Sequence, residues 1–190
     1  MHPHSGWPRE PSSVRAVRFP AAYGTPGGPD SLLPWSYVEE RLRAASNYWI
    51  TTVGPDARPH ARPVDGVWVG GALCFGGSPE TRWVRNVMAN PSISVHLSSE
   101  AEAIILEGTA NYVTDPSHPL AALSMAASKE KYPQYFSGSE SPFRPFWALQ
   151  PARAFAWTLE GFPRGATRWR FDNPDPLASS PSARQPGRGV

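Results

Sequence analysis

Hydrophobic positions along the chain repeat with two periods, one typical of helices and one typical of strands. Apolar residues three or four positions apart mark helical segments, whereas alternating, aromatic or β-branched runs mark strands. In chain order the segments are a helix, three strands, a short helix, two strands, a helix and two strands. Because most strands follow one another through tight turns, the pattern predicts a mainly β fold. In this fold a mostly antiparallel sheet closes into a barrel with helices at its edges.

Local signals set the predicted helix boundaries. Ser36 and Glu39 have the spacing of a capping box, so we expect the first helix to begin at Ser36. Ser78 is a favoured capping residue and Pro79 is a favoured first helical residue, so we expect the second helix to begin there. The third helix is predicted over residues 119–131.

The strands have signals of their own. Pro59 and Pro63 remove backbone donors, so we expect their strand to lie at a sheet edge or to contain a bulge. Gly70-Gly71 is a two-residue hairpin signal, and Gly108 is expected to mark a bulge. Strands are predicted over residues 48–53, 59–69, 72–76, 93–97, 103–113, 152–159 and 167–171.

Both ends of the chain are rich in proline and glycine and show no sustained hydrophobic period. Such composition is typical of segments that cannot bury enough apolar surface to fold. We therefore expect a mostly disordered Pro-rich arm over residues 1–30, a folded domain over residues 31–172 and a disordered tail over residues 173–190.

Composition excludes several function classes. The formal net charge is only +2, which argues against a nucleic-acid partner that needs a large basic field. The single cysteine, Cys74, cannot form an intramolecular disulfide, which fits a reducing compartment. No apolar run approaches the roughly 18 residues of a membrane span, and no signal-peptide pattern is present. We therefore expect a cytoplasmic protein without a membrane partner.

Several catalytic motifs are absent from the sequence. It has no phosphate loop ending in Gly-Lys-Ser/Thr, no Gly-x-Gly-x-x-Gly and no Gly-x-Ser-x-Gly. The histidines lack metal-ligand spacing apart from His2 and His4, which we interpret as part of a solvated arm. We therefore expect neither a metal site nor a catalytic nucleophile.

One segment has the features of a phosphate site. A predicted strand runs into Gly76-Gly77 and then into the second helix, whose first amides have no acceptor within the helix. Thr81 offers a hydroxyl and Arg82 a fork of donors, with Ser78 and Arg85 in the same segment. The alternative is that Arg82 and Arg85 are solvated residues on a surface helix. The residues alone favour neither interpretation.

The second candidate is the strand on which His60, Arg62, Val64 and Trp68 share one face. Pro63 removes an amide from this strand and Gly66 removes a side chain, which leaves unpaired backbone groups and open space. The flat, polar edge of a ring-shaped ligand could bind these backbone groups and occupy this space. The alternative is an ordinary edge strand whose prolines prevent aggregation.

The order of these segments resembles the pyridoxamine-phosphate-oxidase-like superfamily, the flavin and deazaflavin oxidoreductases with a split β-barrel. The resemblance covers roughly residues 31–172 and follows the family's order of motifs. The first group is Tyr37-Val38-Glu39-Glu40-Arg41-Leu42, Tyr48-Trp49-Ile50-Thr51-Thr52-Val53 and Gly54-Pro55-Asp56-Ala57-Arg58-Pro59-His60 with Pro63-Val64. The second is Gly71-Ala72-Leu73-Cys74-Phe75, Thr81-Arg82-Trp83-Val84-Arg85-Asn86 and Asn90-Pro91; the third is Leu106-Glu107-Gly108-Thr109-Ala110 and Ala166-Thr167-Arg168-Trp169-Arg170-Phe171.

This resemblance implies an FMN-binding-type split barrel and a homodimer with two cofactors in the clefts between its subunits. FMN is the expected cofactor, and the deazaflavin coenzyme F-420 is the alternative. The implied activity is hydride transfer to or from a small unsaturated or quinone-like substrate. The implied cofactor-binding residues are Arg62, Pro63 and Val64 at the ring, and Ser78, Thr81, Arg82 and Arg85 at the phosphate.

Two departures from the family pattern bear on function. Many relatives have a phosphate-binding lysine where this chain has Trp83, whose indole could stack on a ring or pack against the barrel. The C-terminal signature of the vitamin-forming oxidases is absent, so we do not expect oxidation of pyridoxamine phosphate. The alternative function is a non-catalytic carrier or sensor of flavin or haem on the same barrel. A structural dimer without a cofactor is a third option.

Overall fold

The computed structural model describes residues 10–136 and 143–172. The helices are α1 (Trp35–Ala44), α2 (Arg82–Ala89) and α3 (Pro119–Lys131), with 3-10 turns at Ala21–Tyr23, Pro29–Ser31 and Pro133–Tyr135. The strands are β1 (Ser13–Ala16), β2 (Tyr48–Val53), β3 (Pro59–Val64), β4 (Gly66–Val69), β5 (Ala72–Phe75), β6 (Ser92–His96), β7 (Glu102–Val113), β8 (Phe146–Thr158) and β9 (Thr167–Arg170).

The strands form one mainly β architecture in which every described pair is antiparallel. The main path runs β1-β9-β8-β7-β6-β2-β3, and β5 joins β8 to β4. Among the described strands, β3 and β4 do not pair with each other. The predicted mainly β, antiparallel split barrel is therefore confirmed. The expected closure of the sheet is wrong, because the sheet stays open between these two consecutive strands.

Alternating burial along the strands defines the inside of the barrel. In β2, Tyr48, Ile50 and Thr52 are buried while the residues between them are only half-buried. The inner face joins residues of α1, α2 and most strands into one core that includes the fully buried Trp169. Burying each large apolar side chain contributes about 1.5–3 kcal/mol, so this face dominates the stability of the fold.

The β4–β5 hairpin is buried on both faces. Leu73 and Phe75 face the barrel core, whereas Cys74 faces a second apolar cluster beneath α3. Leu120 and Ala121 are the α3 residues that close this cluster. A strand covered on both sides has a continuous apolar run, which is what this hairpin shows in the sequence.

Both predicted helix starts based on capping signals are wrong. Helix α1 begins at Trp35 with Pro34 in the cap position, so Ser36 lies inside the first turn and caps nothing. Helix α2 begins at Arg82, because residues 78–81 form a separate turn. In that turn the Thr81 hydroxyl donates to the Ser78 carbonyl at 2.7 Å.

The predicted strand over residues 59–69 is interrupted at Asp65. The following residue, Gly66, donates its amide to the Tyr132 hydroxyl at 3.0 Å. A Cβ atom at Gly66 would lie 2.9 Å from the Cys74 carbonyl oxygen, so the lack of a side chain at this position allows β4 to pair closely with β5. The prolines of β3 do lie on an edge strand, as predicted.

Two further strand predictions have different outcomes. The bulge at Gly108 is confirmed, because the pairing of β7 with β8 shifts register between Glu107 and Gly108. A Cβ atom at Gly108 would lie 2.0 Å from the Gln150 carbonyl oxygen, which leaves room only for glycine. Strand β8 begins at Phe146 rather than at residue 152, because its first half pairs with β5.

The arm predicted as mostly disordered over residues 1–30 is ordered from residue 10 onwards. Strand β1 pairs with β9 from Ser13 opposite Arg170 to Ala16 opposite Thr167. Farther along, the ring of Phe19 packs 4.8 Å from the ring of Phe162. The folded unit therefore begins well before residue 31. Residues 1–9 and the tail predicted over residues 173–190 lie outside the described residues.

Candidate functional site

The structure brings the start of α2 against the turn between β2 and β3. A Cβ atom at Gly54, in that turn, would lie 3.7 Å from Nη2 of Arg82 and 3.5 Å from Oδ1 of Asn86. The two segments that the sequence marks as phosphate and ring candidates are therefore neighbours in space. Arg82 lies beside the end of the edge strand β3 that is nearest this turn.

A buried polar chain holds α2 and β3 in this arrangement. Asn86 of α2 donates from Nδ2 to Oγ1 of Thr52 at 3.0 Å, and both side chains are buried. Thr52 Oγ1 in turn donates to the His60 carbonyl of β3 at 3.3 Å. Neither Asn86 nor Thr52 is among the predicted site residues. Their contact spans 34 positions, so no local pattern indicates it.

Replacing Asn86 by alanine is expected to lower the free energy of unfolding by about 1–3 kcal/mol, because it leaves the buried Thr52 hydroxyl without its donor. Urea unfolding of the variant measures the loss. Asn111→Ala, on an exposed position of β7, is the matched control. Equal stability of the two variants would show that the chain from α2 to β3 contributes nothing.

The predicted ring residues lie on different faces of β3. His60, Arg62 and Val64 pair with Thr52, Ile50 and Tyr48, whose side chains point inward, so they share the face that carries α2.

Of these, Val64 is 9% exposed and is part of the core, whereas Arg62 is exposed. Pro63 pairs with Trp49 and points to the opposite face. Arg62 is therefore the predicted ring residue whose side chain can reach a ligand beside α2.

Positive charge concentrates where β3 meets α2. Within residues 10–136 and 143–172, neither Arg62 nor Arg82 forms an ion pair. Burial, together with the guanidinium groups of Arg62 and Arg82, lowers the pKa of His60 below its usual value. Burial is the larger cause, and the two guanidinium groups add a positive charge that favours an anion over a second cation at this place.

We expect Arg82→Ala to raise the pKa of His60, because removing one nearby cation favours the imidazolium form. The pKa should stay below the ordinary value, since burial and Arg62 still act on the ring. An NMR pH titration of the imidazole in both proteins measures the change. Arg43→Ala, on α1, should leave the pKa where it is in the wild type. An unchanged His60 pKa in Arg82→Ala would show that the charge of Arg82 does not act on His60.

The other predicted phosphate residues are partly occupied by local contacts. Ser78 Oγ accepts from the Glu80 amide at 3.2 Å, and the Thr81 hydroxyl binds the Ser78 carbonyl. Arg85 donates from Nη1 to the Glu80 carbonyl. Arg82 has no such contact among the described residues, so its donors remain available. The first amides of α2 also lack acceptors within the helix.

Trp83 packs into the barrel core rather than towards the site. Its side chain is 6% exposed, and its ring centroid lies 5.6 Å from that of Phe75. A Cβ atom at Gly77 would lie 2.0 Å from the indole. The missing side chain of Gly77 therefore makes room for Trp83. The residue in the place of the family's lysine therefore contributes no charge to the site.

The described part of the chain lacks two further classes of site. None of its helices is both long and apolar enough to cross a membrane. Residues 10–136 and 143–172 also contain no group of three or more histidine, cysteine, aspartate or glutamate side chains placed to hold a metal ion.

A family model described as "Pyridoxamine 5'-phosphate oxidase" matches residues 37–158. No curated protein matches the chain. Among solved structures, a conserved hypothetical protein from Mycobacterium tuberculosis is 16% identical with a TM-score of 0.57, covering 72% of this chain and 92% of that one. An FAD-binding protein from Mesorhizobium loti is 14% identical with a TM-score of 0.52, covering 72% and 95%.

A haem storage protein from Vibrio cholerae is also similar in structure. It is 20% identical with a TM-score of 0.51, and the match covers 61% of this chain and 88% of that one. At these identities the structural matches show a shared fold.

Proposed function

This chain belongs to the pyridoxamine 5'-phosphate oxidase family, and from that membership we propose that it is an oxidoreductase that binds a flavin nucleotide. The observation that carries the proposal is the unneutralised pair of Arg62 and Arg82 where the edge strand β3 meets the start of α2. Arginine presents a planar fork of donors that suits a phosphate group. The buried Trp83 takes no part in this fit.

The geometry supports one orientation of the ligand. Arg82 and the free amides of α2 would hold the phosphate beside the turn between β2 and β3. Strand β3 then runs for about 17 Å from Pro59 to Val64, at about 3.4 Å per residue. A ligand lying along it would place its ring beside Arg62 and the main chain of Pro63 and Val64. FMN is the cofactor we propose, with the deazaflavin coenzyme F-420 as the alternative.

A bound flavin supplies hydride transfer, and the substrate we propose is a small unsaturated or quinone-like molecule. The protein has the simpler tasks of binding and orienting the reactants. Arg82 would neutralise the anionic end of the cofactor and Arg62 would lie beside its ring. The hydrogen-bonded chain from Asn86 through Thr52 holds α2 and β3, which carry these two arginines, in place. No side chain has to act as a nucleophile.

We further propose that the active form is a homodimer joined through the outer face of the sheet. Trp49 pairs with His96, His96 with Ile105, and Ile105 with Phe155, which makes one continuous row across four strands. All four side chains are only half-buried, and the rings of Trp49 and His96 stack 6.1 Å apart. The row continues to Pro63 of β3, so a partner on this face would border the proposed ring site.

Trp49→Arg is expected to convert the dimer into a monomer, because it places a charge within this half-buried, largely apolar row. Sedimentation equilibrium measures the mass. The control is Leu123→Arg, which changes an exposed apolar residue of α3 and should remain dimeric. A wild-type monomer, or a Trp49→Arg dimer of unchanged affinity, would contradict the proposed interface.

The second candidate function is a carrier or sensor of flavin or haem. What favours it is the buried Trp83 in the place of the family's lysine, which leaves fewer charges to hold a phosphate. The haem storage protein from Vibrio cholerae has the same fold, which supports a non-catalytic use of the barrel.

Turnover separates the two functions. Protein loaded with reduced FMN, or with reduced coenzyme F-420, is mixed anaerobically with 1,4-naphthoquinone, and cofactor oxidation is followed by absorbance. The oxidoreductase proposal expects oxidation faster than that of the free cofactor over several cycles of re-reduction. A tightly bound cofactor that reacts no faster than free cofactor would favour the carrier.

A further inference from the structure

A cavity of about 300 Å³ lies between α3, the β4–β5 hairpin and the start of β8. Its walls combine the second apolar cluster with aromatic side chains from two stretches of chain. These are Tyr132, Phe136, Phe143 and Phe146, with Met125 of α3. Such a pocket, apolar with a few polar groups, is the usual form of a small-molecule site.

We propose that this cavity is the substrate pocket of the oxidoreductase and that it takes a planar, uncharged two-ring quinone or a similar conjugated carbonyl compound. This inference rests on the proposed function, because it places the second reactant beside the proposed flavin. It adds a location, a size and a chemical class for the substrate.

The position of the cavity relative to the cofactor site supports the assignment. Asp65 and Gly66, which line the cavity, directly follow the proposed ring residues Arg62–Val64. Arg82 marks the phosphate end, and it lies at the opposite end of β3 beside Gly54. A flavin that runs along β3 would therefore direct its ring towards the wall of the cavity.

The size of the cavity limits the substrate. An apolar cavity of about 150 Å³ can hold one benzene ring, and this cavity of about 300 Å³ has about twice that volume. That volume suits a two-ring compound and excludes a substrate with a long side chain held entirely inside. Flat aromatic walls favour a flat occupant, because rings stack with little loss of side-chain freedom.

The polar groups of the lining favour a carbonyl oxygen on the occupant. The Tyr132 hydroxyl is already bonded to the carbonyls of Ser46 and Gly66, and Asp65 accepts from the Tyr135 hydroxyl at 2.8 Å. Within residues 10–136 and 143–172, the side chains of Ser128 and Arg144 form no hydrogen bond or ion pair, so these two lining residues have donors for a ligand. Both can donate to a carbonyl oxygen.

The cysteine in the wall is compatible with a quinone. Burial raises the pKa of Cys74 to about 12, so the sulfur stays protonated at neutral pH. Quinones add to thiolates, and a protonated thiol is a poor nucleophile. Cys74 therefore forms part of the apolar wall and is protected from reaction with the ligand.

The test measures binding of 1,4-naphthoquinone by calorimetry to the full-length protein, with and without FMN. Ser128→Phe and, as a second variant, Met125→Trp should fill the cavity and weaken naphthoquinone binding at least tenfold, while FMN affinity stays within twofold of the wild type. The matched control is Ala126→Phe, which adds the same ring to an exposed position of α3 and should bind naphthoquinone normally.

The outcomes separate this inference from the proposed function. If FMN binds but naphthoquinone affinity is the same in wild type and both cavity variants, the pocket assignment is wrong and the flavin proposal stands. If naphthoquinone binding is lost only in the cavity variants but FMN never binds, the pocket stands as a quinone site and the flavin proposal is wrong. Competition between FMN and naphthoquinone for the cavity would also overturn the assignment.

Discussion

Replacing Arg82 by alanine is expected to weaken FMN binding about 10- to 150-fold, which corresponds to about 1.5–3 kcal/mol. The physical reason is that the guanidinium of Arg82 is free of ion pairs in the described part of the chain and lies beside the start of α2. Its bond to a phosphate would be charge-assisted, and no other described contact would compete for it. Quenching of flavin fluorescence during titration measures the dissociation constant.

Two comparisons make this result specific. Arg43→Ala removes an equally exposed arginine that is paired with Glu39 on α1, and it should leave FMN affinity unchanged. Arg85→Ala should have a smaller effect than Arg82→Ala, because Arg85 is already bonded to the Glu80 carbonyl. An Arg82→Ala protein that binds FMN as well as the wild type would remove Arg82 from the site.

The second large effect concerns stability rather than binding. Trp83→Ala is expected to lower the free energy of unfolding by about 3–5 kcal/mol, the usual cost of deleting a buried aromatic side chain. The indole is 6% exposed and fills the space between Phe75 and Gly77. Urea unfolding at constant protein concentration measures the loss.

FMN affinity should separate the role of Trp83 from that of Arg82. Trp83→Phe keeps an aromatic ring in the core and should be more stable than Trp83→Ala, and its FMN affinity should stay close to that of the wild type. A large loss of FMN affinity in Trp83→Phe without a loss of stability would show that the indole contacts the cofactor. Such a result would contradict its assignment to the core.

Elements with a strong local period could be predicted from the sequence. The bounds of β2 and α3 agree with the predicted ones. Strand β2 alternates between buried and half-buried residues, and α3 begins with Pro119 as its first helical residue. The hairpin between β4 and β5 also follows its signal, since Gly70 and Gly71 both adopt positive φ angles of 56° and 71°.

Elements that depend on distant partners could not be predicted in the same way. Strand β1 is short and is stabilised by its ladder with β9, more than 150 positions away. The break at Asp65 arises from the contacts that Tyr132 of the distant α3 end makes with Gly66. Helix α2 begins at Arg82 and not at the predicted Ser78. The reason is that local side-chain contacts stabilise a turn where the composition favours a helix.

The same distinction between local signals and distant contacts applies to the candidate site. Arg62 and Arg82 stand in segments that the family resemblance marks as ring and phosphate candidates, so they could be named from the sequence. Their proximity and the buried link from Asn86 to Thr52 require the tertiary structure. The cavity beneath α3 has no sequence signal at all, because its lining comes from segments between residues 65 and 146.

The central claim is that this chain binds a flavin phosphate where α2 meets β3. The most direct test is a parallel titration of the purified apoprotein with FMN and with riboflavin, which has the same ring but no phosphate. We predict that FMN binds at least tenfold more tightly than riboflavin and that this difference disappears in Arg82→Ala. Equal affinity for both ligands, or binding of neither, would contradict a phosphate site at Arg82.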